Sequence, residues 1–337
     1  MKLKHYWPLL LASLSFATVI ADDVASEDDA ETSSLAECFE PAHPYNENDD
    51  LYSDSCWKLA DSETESNYAC QNCLWGIWLP EGPPLFRPFV ADPRQVTYSV
   101  GWRFHDRVID QNVIDVSFGD IFPIFRWCNL FCVHAELELE LEGGVWATFK
   151  PLRESSPLVD ADYYVGFPLV LAFDNWAFRL RGYHISTHMG DEFLITHPHF
   201  YRRNPSIEAF DFDVSHQFSK ELRIYAGVGW MACQDDSFRM GKFYCLGGFE
   251  VRFPQFGYRD YCDRLYGEPY IGVHLYYQSH FKNHINNTYV IGYEWGKVAG
   301  LRRKLRLFLE YHDGYSLEGQ FAIYPTHYFS IRGSYGF

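Results

Sequence analysis

The chain is expected to fold as an all-β protein, a transmembrane antiparallel β-barrel of about twelve strands. Two observations predict it. From about residue 95 onward, apolar and polar residues alternate in long runs, and a strand turns successive side chains to opposite faces. Aromatic residues make up 18% of the chain, and they crowd the apolar face of these runs, many near strand ends. Runs of about ten residues with one apolar, aromatic-flanked face and one polar face suit a wall between lipid and a polar interior.

Before the strands come two segments of other character. The start, MKLKHYWPLLLASLSFATVIA, joins Lys2 and Lys4 to a short apolar run and a small-residue site at Val19 and Ala21. It reads as a secretory signal peptide over residues 1–21. Residues 22–94 read as an acidic, cysteine-bearing, irregular periplasmic extension. Within it, residues 22–65 hold fifteen Asp/Glu and one Lys, net −14 of the chain's −17. The acidic balance is therefore a property of this arm, and it disfavours a nucleic-acid partner, whose phosphates need a basic surface. The arm's cysteines, Cys38, Cys56, Cys70 and Cys73, belong to a total of nine. In an exported chain such cysteines are expected to form disulfides, within the chain or to other envelope proteins. The CxxC of Cys70 and Cys73 lacks a second CxxC or a βαβ context, so a structural cross-link is favoured over a redox pair or half a zinc site.

The barrel is expected over residues 95–337, with strands at 95–104, 112–119, 134–149, 161–173, 176–187, 206–216, 221–232, 242–253, 269–279, 287–297, 303–323 and 327–337. The clearest is AELELELE, where Ala135, Leu137, Leu139 and Leu141 face one way and Glu136, Glu138, Glu140 and Glu142 the other. The link at 120–133, with Pro123, Cys128 and Cys132, reads as irregular. An even strand count returns both ends to the periplasm. Tight turns at Asp174-Asn175 and near Ser219-Lys220 then fall on that side, and residues 187–206 outside the cell. In the strand from Trp176, Arg179 and Arg181 share a face opposite to Phe178 and Leu180. In the next, Asp211 and Asp213 oppose Phe210 and Phe212. Adjacent inner walls carrying arginines and aspartates are expected to pair, filling the lumen and arguing against a wide pore.

The same parity picks out a candidate site. His184 and Ser186 fall on the outward face with Trp176, Phe178 and Leu180. Glu208 falls on the outward face with Phe210 and Phe212 at the start of the following strand. A base, a hydroxyl and a carboxylate thus meet at the outer rim, the residue types of a Ser-His-acid hydrolase. The intervening loop holds His188, Asp191, Glu192, His197 and His199, a set able to take a divalent cation or to bridge lipid phosphates through one. Arg202 and Arg203 in that loop suit lipid phosphates.

The run GYHIS with NPSIEAF resembles the active-site hairpin of PagL-type lipid A 3-O-deacylases, and an HxS is similarly placed in outer-membrane phospholipase A. The resemblance implies Ser186 as nucleophile, His184 as base and Glu208 as orienting acid. Thr187 stands where those enzymes have asparagine, and Gly190 is the nearby glycine whose N–H would serve as oxyanion or loop support. HISTHMGDEF and PPLFRPFVADPRQ (83–95) resemble an uncharacterised family of bacterial outer-membrane barrels, domain of unknown function 1207. That resemblance implies a barrel over most of residues 80–337 and supplies no activity. The terminal Phe337 resembles the C-terminal signal by which such barrels engage the barrel-assembly machinery. The expected function is an outer-membrane lipid esterase acting on lipopolysaccharide or phospholipid. The alternatives are a non-catalytic envelope barrel cross-linked by disulfides, or a narrow channel.

Overall fold

The computed structural model describes residues 76–80, 82–130, 135–259, 265–281, 284–296 and 303–337. The signal peptide, the acidic arm and Cys38, Cys56, Cys70, Cys73, Cys132 and Cys262 lie outside these residues.

Twelve antiparallel strands form a closed wall: β1 (Tyr98–Phe104), β2 (Asn112–Leu130), β3 (Ala135–Phe149), β4 (Leu158–Phe173), β5 (Trp176–Met189), β6 (Ser206–Gln217), β7 (Leu222–Gln234), β8 (Phe243–Arg252), β9 (Leu265–Gln278), β10 (Ile285–Gly296), β11 (Lys304–Tyr315) and β12 (Pro325–Gly336). Each strand pairs with its sequence neighbours, and β12 closes the ring on β1 from Tyr335 opposite Tyr98 to Phe329 opposite Phe104. Closure pairs the first strand with the last, so among the described residues the wall has no open edge strand. Among the described residues no helix is long and apolar enough to cross a membrane.

Alternation sets the two surfaces. Val100, Phe118, Phe167, Leu180, Phe210, Trp230, Ile291, Leu307 and Phe329 are exposed on the outside. Their neighbours Arg103, Glu138, Arg179, Asp213, Arg223, Glu250 and Arg332 are buried inside. The expected pairing between β5 and β6 is present: Arg179 reaches Asp213 at 2.7 Å, and Arg181 reaches Asp211 at 2.6 Å. Glu142 completes this group, 3.1 Å from Arg181 and 3.6 Å from Arg179. Glu138 takes Arg126 at 2.6 Å. On β7, Gly227 and Gly229 face this crowded interior. A Cβ on either would collide with Asp213 or Tyr244, so glycine is what lets those large side chains lie flat against the wall.

Two boundaries differ most from expectation. β2 runs on to Leu130 instead of ending at residue 119, passing through Pro123 with a register shift between Pro123 and Phe125. A proline has no N–H for the ladder, and a bulge is where a strand tolerates one. β11 stops at Tyr315, not at residue 323. The chain then turns through a 3-10 turn at Gly319–Phe321 that buries Gln320 and Phe321. The two-residue turn at Asp174-Asn175 forms as expected, with Asp174 at φ 47°, the left-handed conformation that two-residue hairpin turns need.

The lumen is also filled from the N-terminal side. The stretch just before β1 lies inside the wall, with Leu85, Phe86, Phe89 and Ala91 buried. Glu138 accepts a hydrogen bond from the Leu85 N–H and Glu250 from the Val90 N–H, each at 3.0 Å. Arg223 donates to the Pro88 and Arg87 carbonyls at 3.0 and 2.6 Å. Phe89 stacks on Tyr225 at 3.9 Å between ring centroids, and the Arg179 guanidinium lies 4.4 Å from the Phe86 ring centre. Residues up to 94 lack a strand period, and in sequence they read as the end of the extension. The last ten or so serve instead as a plug, their aromatic rings filling space between wall arginines. A second apolar cluster, of Ile109, Val113, Val159, Met189, Phe193 and Phe321, packs beside the loop that follows β5.

Candidate active site

β5 and β6 bring the predicted catalytic residues together through register alone. His184 sits directly opposite Glu208, and Ser186 opposite Ser206. Trp176, Leu180, Phe210 and Phe212, which share this face, are exposed, so the site is on the outer wall. The His184 ring and the Glu208 carboxylate form a hydrogen bond, Nδ1 to Oε1, at 3.1 Å. The side chains remain 40% and 50% exposed. In the tautomer whose Nδ1–H donates to Glu208, Nε2 is left with the lone pair that a general base uses. Ser186 lies two residues on, half-buried on the same face. Among the described residues its hydroxyl has no side-chain hydrogen bond, so the base–acid half of the constellation is assembled and the nucleophile is adjacent to it.

One further feature was not legible in the sequence. The β6–β7 register shifts beside Glu208: Glu208 faces Cys233, while Ala209 faces Met231. Ala232 is therefore an extra residue, a bulge of the kind that re-aims side chains beside functional sites. Cys233 is exposed and is a free thiol, as is the half-buried Cys245.

The supporting residues fall elsewhere than the resemblance implies. The Thr187 side chain faces the lumen, buried, and its hydroxyl donates to Asp162. Its N–H donates to the Pro205 carbonyl at 3.1 Å, and the Gly190 N–H donates to the Val159 carbonyl at 3.1 Å. Neither amide is therefore free for an oxyanion. Gly190 is required for packing, since a Cβ there would strike the Leu158 carbonyl. The loop set does not gather. His197 stacks on Phe193 at 4.1 Å within the short helix α1 (Asp191–Thr196) and its cap, and Glu192 accepts from the Ser155 hydroxyl at 2.8 Å. Among the described residues no three His, Cys, Asp or Glu side chains cluster as a cation site. Arg203 lies over the Phe238 ring, 5.7 Å from its centre.

A closed, even-stranded wall with an aromatic, lipid-compatible exterior and an ion-paired interior defines the class of outer-membrane β-barrels. Residues 57–337 match the family described as "Protein of unknown function (DUF1207)", and the chain belongs to that family. No curated protein matches it in sequence. Among solved structures it is similar to outer membrane phospholipase A from Escherichia coli. The TM-score is 0.51 at 9% identity, covering 72% of this chain and 93% of that one. It also matches the Salmonella typhi outer membrane phospholipase dimer with bound calcium, at TM-score 0.49 and 10% identity, covering 72% and 93%. A third match is the KdgM porin, at TM-score 0.36 and 10% identity, covering 71% and 99%. At these identities the likeness is one of fold.

Proposed function

We propose that this barrel is an acyl-ester hydrolase of the bacterial outer membrane, acting on phospholipid or on the acyl chains of lipopolysaccharide. The observation that carries the reading is the His184–Glu208 hydrogen bond on the lipid-facing wall, in register with Ser186 on the same face. A substrate dissolved in the membrane meets an outward site without leaving the bilayer.

In the reaction, Ser186 Oγ adds to the ester carbonyl carbon and its proton passes to His184 Nε2. The C=O π electrons move to oxygen. When the tetrahedral adduct collapses, the C–O bond to the leaving alcohol breaks, and that alcohol takes the proton from Nε2. Water then adds to the acyl-enzyme by the same route, releasing the fatty acid and restoring Ser186. Glu208 holds the imidazole in the Nδ1–H form and stabilises its cation.

The fold-level similarity to a phospholipase barrel supports this reading. The ion pairs of the lumen and the plug's rings occupy the interior and weigh against the channel alternative. An inert barrel cross-linked through its cysteines is the remaining alternative. Phe337, whose ring lies 4.4 Å from the Arg303 guanidinium, is proposed as the signal to the assembly machinery.

The test is covalent labelling. A long-chain alkylsulfonyl fluoride incubated with the detergent-folded full chain is expected to attach to Ser186, as located by peptide mass spectrometry, and not in His184→Ala. Absence of label from the folded wild type, or label equally present in His184→Ala, overturns the reading.

A further inference from the structure

Addition of Ser186 to an ester places negative charge on the former carbonyl oxygen, and fixed donors aimed at that oxygen lower the barrier. The backbone flanking Ser186 is committed elsewhere. β5 is paired along both edges, with Tyr163 and Ser206 opposite Ser186, so its amides are committed to the ladder. Near the loop, the Thr187 and Gly190 amides donate to the Pro205 and Val159 carbonyls. The outer face offers side-chain donors instead.

We infer that Tyr163 and His188 are those donors, an inference that rests on the esterase reading. Tyr163 stands directly across the β4–β5 ladder from Ser186 on the same outward face, and it is 47% exposed. His188 follows Ser186 by two residues, on the same face, and is also exposed. Their rings meet edge to face, with centroids 5.3 Å apart and planes at 82°. The contact holds both rings as one unit beside the nucleophile. Among the described residues, neither the Tyr163 hydroxyl nor a His188 ring nitrogen has a hydrogen-bond partner, so both are open to a ligand. Ser186 thus lies between two rows of different chemistry. The His184–Glu208 row takes the proton, and the Tyr163–His188 row supplies an O–H and an N–H to the developing oxyanion.

The experiment compares kcat and KM for wild type, Ser186→Ala, Tyr163→Phe, His188→Ala and His188→Gln on dioleoyl phosphatidylethanolamine and on lipopolysaccharide. Each variant is first shown to be folded by its heat-modifiable gel mobility. Tyr163→Phe and His188→Ala are each expected to lower kcat on the order of 10²-fold with KM little changed, the range for loss of one oxyanion donor. His188→Gln, which keeps an N–H, recovers part of the loss. If wild type cleaves ester and Ser186→Ala does not, but Tyr163→Phe and His188→Ala keep wild-type kcat or change only KM, this inference falls and the esterase reading stands. If folded wild type cleaves neither lipid, both fall together.

Discussion

The inner and outer walls of this barrel use the same kinds of side chain to different ends. Inside, Arg179 forms ion pairs with Asp213 and Glu142 at side-chain exposures of 2% or less. Outside, His184 and Glu208 form one hydrogen bond while 40% and 50% exposed. An enclosed charge has to be paired, because desolvation without a partner costs several kcal/mol. A charge at the membrane interface costs only about 0–1 kcal/mol, and water or headgroups can satisfy it. The inner pairs are thus explained by folding. The outer pair is not, and it stands beside a hydroxyl on a face otherwise given to apolar rings. Polar geometry that the fold does not require marks the site.

The largest expected effect is on the inner wall. Arg179→Ala leaves Asp213 and Glu142 short of a buried partner, and about 3–5 kcal/mol of stability is expected to go. Urea unfolding followed by tryptophan fluorescence measures it, and a loss below about 1 kcal/mol would erase the contrast between the walls. Next comes the plug: Phe89→Ala removes the ring stacked on Tyr225 and is expected to cost about 3 kcal/mol. A near-neutral result would mean the plug segment is not part of the folded unit.

Glu318, in the loop after β11, gives a pH handle. Burial alone would raise its pKa, but the Arg103 and Arg94 guanidiniums hold it down at about 2, with Arg103 at 2.6 Å. A carboxyl depressed in the folded state stabilises above its unfolded pKa, and that stability is lost as pH falls through the folded value. Wild type is therefore expected to lose stability on acidification from about 4.3, the ordinary Glu value, towards 2. Glu318→Gln should flatten that limb of the curve, and an unchanged limb would assign it to other carboxyls. The smallest stability effect belongs to the outer pair. Glu208→Ala is expected to change unfolding free energy by no more than about 1 kcal/mol, while lowering ester cleavage less than Ser186→Ala does. Stability loss matching that of Arg179→Ala would make the pair structural after all.

The wall was legible because lipid on one side and packed charge on the other force strict alternation. Leu137 with Glu138, and Phe212 with Asp213, needed no further information. The same alternation put His184, Ser186 and Glu208 on one face, because cross-strand register follows from strand pairing. What escaped reading has no period. The plug around Phe86 and Phe89 is irregular backbone held by wall arginines, so nothing local marks it as interior. The link at 120–133, with Pro123, reads as irregular because a bulge cannot be seen in sequence. The run from Tyr315 to Phe321 kept a strand-like composition although the chain turns inward there. Thr187 and Gly190 are candidates through the resemblance to an enzyme hairpin, yet their amides go to Pro205 and Val159. Hydrogen-bond commitments of single amides are set by loop geometry, which residue identity does not encode.

The most direct test of the central claim is mass spectrometry of lipopolysaccharide and phospholipids from cells expressing the barrel. Wild type folded in the outer membrane should release an acyl chain, producing a deacylated lipid A or a lysophospholipid. Ser186→Ala, equally abundant and equally folded, should leave every acyl chain in place. Intact lipids in cells expressing folded wild type, or deacylation that persists in Ser186→Ala, would contradict the account.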